Sequence, residues 1–162
     1  EMIEAFHFFP IKKQQIKVLV HPQSIIHGIV NYDDGSSLAM LSLPDMQVPI
    51  SHALSYPKRM KIQHQKLDLA KIGKLEFFDV DDKKFPALKI CRQVMEADGA
   101  APVILNAANE IAVERFLNRE ISFDKIVKIV ETVLTKIPNK ALATIDEIIE
   151  YDLRSREISK NI

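Results

Sequence analysis

From Pro86 onward the apolar residues recur at helical spacing, and that pattern constrains the fold more than any other feature of the chain. Leu88, Cys91, Val94 and Met95 lead to Gly99, a residue suited to ending a helix; Val103 to Leu117 forms a second run. Phe123, Ile126, Val127, Val130, Val133, Leu134 and Ile137 mark a third. Ser122 is placed as an N-cap for the third helix, and Thr144 with Glu147 three residues on is a capping-box signature for a fourth. Four helices with short connections predict a small all-α bundle over residues 82–162. Cys91, on an apolar stripe with nothing basic beside it, reads as a small core residue.

The first half has a different rhythm. An amphipathic segment from Glu1 to Phe9 is stopped by Pro10, and Ile16 to Val20 reads as a short buried strand. Two strand-like runs, Ile25 to Tyr32 and Ser37 to Ser42, flank an Asp34-Gly35 pair that tolerates the positive φ of a tight hairpin. Period-two alternation puts Ile25, His27 and Ile29 on one face and Ile26, Gly28, Val30 and Tyr32 on the other. Both faces are mostly apolar, which predicts a strand covered on both sides. Pro44 to Met46 reads as the start of a short helix ending before Pro57, and the polar stretch from Lys58 to Lys84 as a connection holding one edge strand near Lys74 to Phe78. The expected class is α+β: a partial α/β portion with a β-hairpin over residues 1–81, then the four-helix bundle.

Composition narrows what such a chain does. Its 22 basic and 22 acidic side chains balance, which argues against binding nucleic acid or an anionic membrane through surplus positive charge. One cysteine can form neither an internal disulfide nor a thiolate metal cage, and a reducing cytosol is the default compartment. No apolar run approaches the roughly 20 residues of a membrane-spanning helix. The four glycines, at 28, 35, 73 and 99, form neither a dinucleotide fingerprint nor a P-loop. Opening on Glu1, inside a helical pattern and without an initiator methionine, the sequence is expected to belong to a longer protein.

Several residues could carry chemistry. Glu1, Glu4 and His7 follow one helical face, although spacing alone favours a solvated surface. His21-Pro-Gln-Ser-Ile-Ile-His27 gathers two imidazoles, a hydroxyl and an amide at the entry to a strand, where a hydrogen-bonded structural histidine and a functional one are equally expected. Asn106 and Asn109, early in an apolar helix, read as buried hydrogen-bonding residues that fix packing.

Taken in order, Glu1 to Ala5, the His-Pro-Gln-Ser-Ile-Ile-His string, the Tyr32 to Ser36 turn, Pro44-Asp-Met46 and Leu105-Asn-Ala-Ala-Asn-Glu110 resemble the carboxy-terminal part of the 1-deoxy-D-xylulose 5-phosphate reductoisomerase family along the whole chain. The resemblance implies an NADP-dependent oxidoreductase of non-mevalonate isoprenoid synthesis that converts 1-deoxy-D-xylulose 5-phosphate to 2-C-methyl-D-erythritol 4-phosphate with NADPH and Mg²⁺ or Mn²⁺. It implies a homodimer, cytoplasmic in bacteria or in a plastid-type organelle in eukaryotes. Residues 1–81 would be the end of the catalytic and dimerisation domain, and residues 82–162 the carboxy-terminal helical domain.

Matched position by position, the resemblance makes Glu1 a metal ligand that also counts with the substrate-binding set, because the metal grips the substrate's oxygens. It makes Ser24 and His27 residues of the substrate pocket, His27 with a catalytic role, and Pro44 with Met46 part of a stretch closing over the reacting centre. The NADPH-binding domain and the other metal ligands would precede residue 1, so this chain by itself is expected to be inactive. A free-standing, non-catalytic binding or oligomerisation module is the alternative, which a Gly-rich strand-turn-helix upstream of Glu1 would exclude.

Overall fold

The computed structural model describes residues 1–162. Seven helices and four short strands make it an α+β chain, arranged as two compact units: residues 18–80, and residues 81–162 joined by residues 1–17. No helix is long and apolar enough to cross a membrane.

The helical unit contains α1 (Met2–Phe8), α4 (Pro86–Ala97), α5 (Ala101–Leu117), α6 (Phe123–Lys136) and α7 (Ile145–Lys160). Helix α1 ends as Pro10 requires, with Phe9 in the extended conformation imposed on a residue preceding proline. Helix α5 is the centre of the unit and packs against α4, α6 and α7. Its inner stripe is built from Ile104 and the alanines 101, 107, 108 and 112, all buried, and small residues let neighbouring helices approach closely. Val133 of α6, Ile137 just beyond it and Tyr151 of α7 complete that core, with Ile3 of α1 packed against its edge.

Two features of the helical half depart from the sequence reading. Asn106 and Asn109 are exposed, because the buried stripe of α5 runs through Ile104, Ala107, Ala108 and Ile111 and leaves both asparagines on the other side. Asn106 Nδ2 donates to Glu110 one turn later. The second is Asn139, a residue nothing in the sequence singled out. Its Oδ1 accepts from the N–H groups of Ala100 and Ala101 at 2.9 and 3.1 Å, and its Nδ2 donates to the Ala97 carbonyl. One side chain therefore caps both the end of α4 and the start of α5. Gly99 between them has a φ of +62°, and a Cβ there would lie 2.6 Å from the Lys140 carbonyl, so only glycine fits.

The predicted capping box forms. Glu147 N–H donates to Thr144 Oγ1, and Glu147 Oε2 accepts from the Thr144 N–H. Lys140 closes on the same carboxylate at 2.9 Å; with the Ala143 N–H, it holds the Glu147 carboxyl down at about 2. Ser122 occupies the N-cap position of α6 but turns its hydroxyl to Asp124 rather than to the helix backbone. Arg156 joins α7 to α5, paired with Asp152 and with Glu110 at 2.6 Å. The Arg156 guanidinium, with the Asn106 amide, keeps Glu110 below the ordinary carboxylate range. Cys91 is half-buried, and that burial pushes its thiol up.

Residues 18–80 contain β1 (Leu19–Val20), β2 (Ile26–Asn31), β3 (Ser37–Leu41), α2 (Gln47–Ser55), α3 (Leu69–Ile72) and β4 (Phe78–Asp79). The hairpin β2–β3 turns through Gly35 at a φ of +84°, with Asp34 Oδ1 accepting from the N–H and hydroxyl of Ser36. Those two bonds hold the Asp34 carboxyl below its usual range. The expected strand from Ile16 to Val20 is reduced to Leu19–Val20, because its antiparallel partner β4 is only two residues long.

Register also overturns the period-two reading of β2. Ile26 faces Leu41 and Gly28 faces Met40, so His27 is an extra residue without a partner, a β-bulge. Leu41 and Met40 are successive on β3 and point to opposite faces, so Ile26 and Gly28 do too, against the alternation. Nor is the hairpin covered on both sides. Val30 and Leu38 are 55% and 65% exposed, since no further strand or layer packs over them.

Candidate functional site

The expected site residues fall on local devices that the chain builds for different reasons. His21 to Ser24 form a β-turn closed by the Ser24 N–H donating to the His21 carbonyl at 3.0 Å. Pro22 at the second position supplies the fixed φ such a turn uses. Ser24 leaves it in the left-handed region, φ +49°, and is exposed.

The turn is tied to a segment more than fifty residues away. His21 Nδ1 lies 2.7 Å from the Glu76 carbonyl, and because a carbonyl only accepts, Nδ1 carries the proton. The imidazole stacks on Phe77, with centroids 4.6 Å apart. Gln23 makes a paired contact with Glu76: Nε2 donates to Oε2 at 2.9 Å, and Oε1 accepts from the Glu76 N–H at 3.2 Å. Lys74 engages the other carboxylate oxygen at 3.0 Å.

His27 is displaced from the ladder by the bulge and is exposed. Its Nε2 donates to the carbonyl of Ser42 at 3.2 Å, which leaves Nδ1 as the lone-pair nitrogen of the neutral ring. Ser42 is buried, and two residues on stands Pro44. The structure thus brings His27 to the root of the Pro44–Met46 stretch, both ends of which are exposed. Between them Asp45 organises the entry to α2: Oδ1 accepts from the Gln47 N–H at 2.9 Å and Oδ2 meets His64 Nδ1 at 3.3 Å. His64 was not legible in advance, because it lies in a polar, weakly periodic connection and its partner is 19 residues away.

Glu1 stands at the N-cap of α1 with its carboxylate exposed and making no capping bond. Glu4 and His7 are exposed as well, as a solvated face would have them. Nowhere do three His, Cys, Asp or Glu side chains come together as a cation cage. An exposed carboxylate suits a hard cation such as Mg²⁺ or Mn²⁺, but one carboxylate is far from the several oxygens such an ion requires. The glycines serve a hairpin turn, a helix end, a close approach and a strand, and none opens a phosphate-cradling loop, so the residues present do not fit NADPH.

The chain matches the family model described as DXP reductoisomerase C-terminal domain over residues 41–158. The 1-deoxy-D-xylulose 5-phosphate reductoisomerase of Acinetobacter baumannii is 48% identical over 160 residues, which is 99% of this chain and 40% of that protein. Among solved structures, the 1-deoxy-D-xylulose 5-phosphate reductoisomerase from Zymomonas mobilis in complex with NADPH superposes with a TM-score of 0.90 at 41% identity. That match covers 99% of this chain and 42% of the other. A DOX-P reductoisomerase in complex with NADPH, fosmidomycin and magnesium gives a TM-score of 0.91 at 39% identity, over 99% of this chain and 41% of that one. The chain spans about 40% of the length of the curated relatives it matches. With the domain model matched across most of its length, the chain belongs to the DXP reductoisomerase C-terminal domain family.

Proposed function

We propose that this chain is the carboxy-terminal part of an NADPH- and divalent-metal-dependent reductoisomerase that converts 1-deoxy-D-xylulose 5-phosphate to 2-C-methyl-D-erythritol 4-phosphate in non-mevalonate isoprenoid synthesis. The observation that carries this reading is the match along 99% of the chain to a reductoisomerase solved with NADPH, fosmidomycin and magnesium. Residues 1–81 close the catalytic and dimerisation domain and residues 82–162 form the helical domain of a homodimeric enzyme, cytoplasmic in a bacterium or held in a plastid-type organelle. The substrate is a small phosphosugar.

Within that enzyme Glu1 is one ligand of Mg²⁺ or Mn²⁺. When bound, the metal polarises the carbonyl and hydroxyl oxygens of the substrate. His27 offers Nδ1 to a substrate hydroxyl while its Nε2–H stays anchored on Ser42, which fixes the ring without consuming its second nitrogen. The Ser24 hydroxyl binds substrate from its exposed turn, and Pro44 with Met46 form an apolar edge that excludes water. The chain alone is inactive, because one carboxylate and no phosphate-cradling loop supply neither the metal site nor the nucleotide site.

His27→Gln in the complete enzyme tests the reading. Because His27 is exposed and makes one hydrogen bond in this chain, thermal unfolding should move little, while kcat/KM should fall by about tenfold or more. A large loss of stability with unchanged kinetics per folded molecule would assign His27 to structure instead.

A further inference from the structure

We propose that the paired hydrogen bonds between Gln23 and Glu76 are a positioning device that holds the Ser24 hydroxyl for substrate, making Gln23 and Glu76 positioning residues of the reaction. The inference rests on the proposed role of Ser24 and deepens it.

Ser24 occupies a left-handed backbone conformation, φ +49°, that a serine seldom adopts. Its own contacts are too few to impose it, since it is exposed and closes its turn through a single N–H. The constraint comes from two residues of the turn itself, His21 and Gln23. His21 is fixed by Nδ1 on the Glu76 carbonyl and by the Phe77 ring, and Gln23, adjacent to Ser24, is fixed by both ends of its amide. A bidentate amide defines a plane as well as a distance, so it sets the direction in which the chain leaves Gln23. Glu76 lies in the polar connection ahead of β4, and the β1–β4 pairing of Val20 with Phe78 brings it beside the turn. A free turn of this composition would sample other conformations and present the hydroxyl only part of the time, which raises the apparent dissociation constant.

The experiment is steady-state kinetics on the complete reductoisomerase, with thermal unfolding recorded for every variant. Glu76→Ala removes one bond of the pair and should raise KM for the pentulose phosphate about threefold. Gln23→Leu removes both and should raise it about tenfold, with kcat within about twofold in each case. Glu76→Gln keeps an acceptor oxygen and should restore KM to near the parent value. In a Ser24→Ala background, Gln23→Leu should add nothing further, because no hydroxyl remains to be positioned. If Glu76→Ala does not fold, Gln23→Leu and the double variant decide.

An unchanged KM in folded Gln23→Leu, while Ser24→Ala raises it, overturns the positioning role and leaves the Ser24 reading standing. An unchanged KM in Ser24→Ala overturns both. Fully additive effects in the double variant would reduce the pair to a structural tie and also overturn the proposal.

Discussion

The helical half and the hairpin unit are built from similar proportions of apolar residues but bury them very differently. Residues from α4 to α7 close on one another until Ile104, Val133 and Ile137 are almost completely shielded, whereas between residues 18 and 80 only Ile25 and Ser42 are buried. Leu54 and Tyr56 remain more than 70% exposed there. A helix satisfies its own backbone and needs only one apolar stripe covered, so five short helices can make a core between them. A two-stranded hairpin satisfies half of its edges and needs further strands or layers to cover its faces. Of the proposed substrate residues, Ser24, His27, Pro44 and Met46 stand in the less consolidated unit, where side chains are free to meet something outside the chain, and Glu1 stands at the exposed start of α1 in the helical one.

The largest expected effect follows directly. Ile104→Ala, at a site 1% exposed, should cost about 3 kcal/mol in urea-induced unfolding of this chain, while Leu38→Ala, at 65% exposure, should stay within about 0.5 kcal/mol. Equal costs would break the comparison by placing Leu38 in a core of its own.

A smaller effect sharpens it from the helical side. Thr144→Ala should lower stability by about 1 kcal/mol, the usual cost of losing a side-chain N-cap. The same box has a pH signature. The Glu147 carboxyl is held at about 2 in the folded chain against an ordinary 4.5, so its stabilising contribution is complete above about 4.5 and disappears as the pH falls toward 2. Glu147→Gln should therefore narrow its stability deficit relative to the parent as the pH is lowered through that window. A deficit independent of pH would remove the charged contact with Lys140 from the account.

Which parts were legible in the sequence depends on how far apart the interacting residues lie. Helices α4 to α7, the Asp34-Gly35 hairpin and the Thr144 capping box are set by contacts within a few residues, and they stand where periodicity and cap chemistry put them. The bulge at His27 was illegible because alternation assumes an unbroken register, and only the partner strand reveals the extra residue. Asn139 acts on backbone groups 38 to 42 residues away, and Gln23 meets Glu76 across 53. Asn106 and Asn109 were misplaced for a related reason: α5 is apolar around most of its circumference, so its sequence does not say which stripe faces inward. The family resemblance was legible through strings such as the one from His21 to His27, which local physics does not require.

The role proposed for Glu1 is that of one ligand of a divalent-metal site in the complete enzyme. Metal-titrated steady-state kinetics on the complete enzyme carrying Glu1→Gln tests it most directly. The substitution keeps size and shape at the exposed N-cap of α1 and removes one charged oxygen donor, so folding should be unchanged. Losing even a residue that only orients a ligand costs about 10–100-fold, so activity or metal affinity should fall by at least about 100-fold. Near-parent turnover with an unchanged metal requirement would contradict the account and return Glu1 to a solvated helix end.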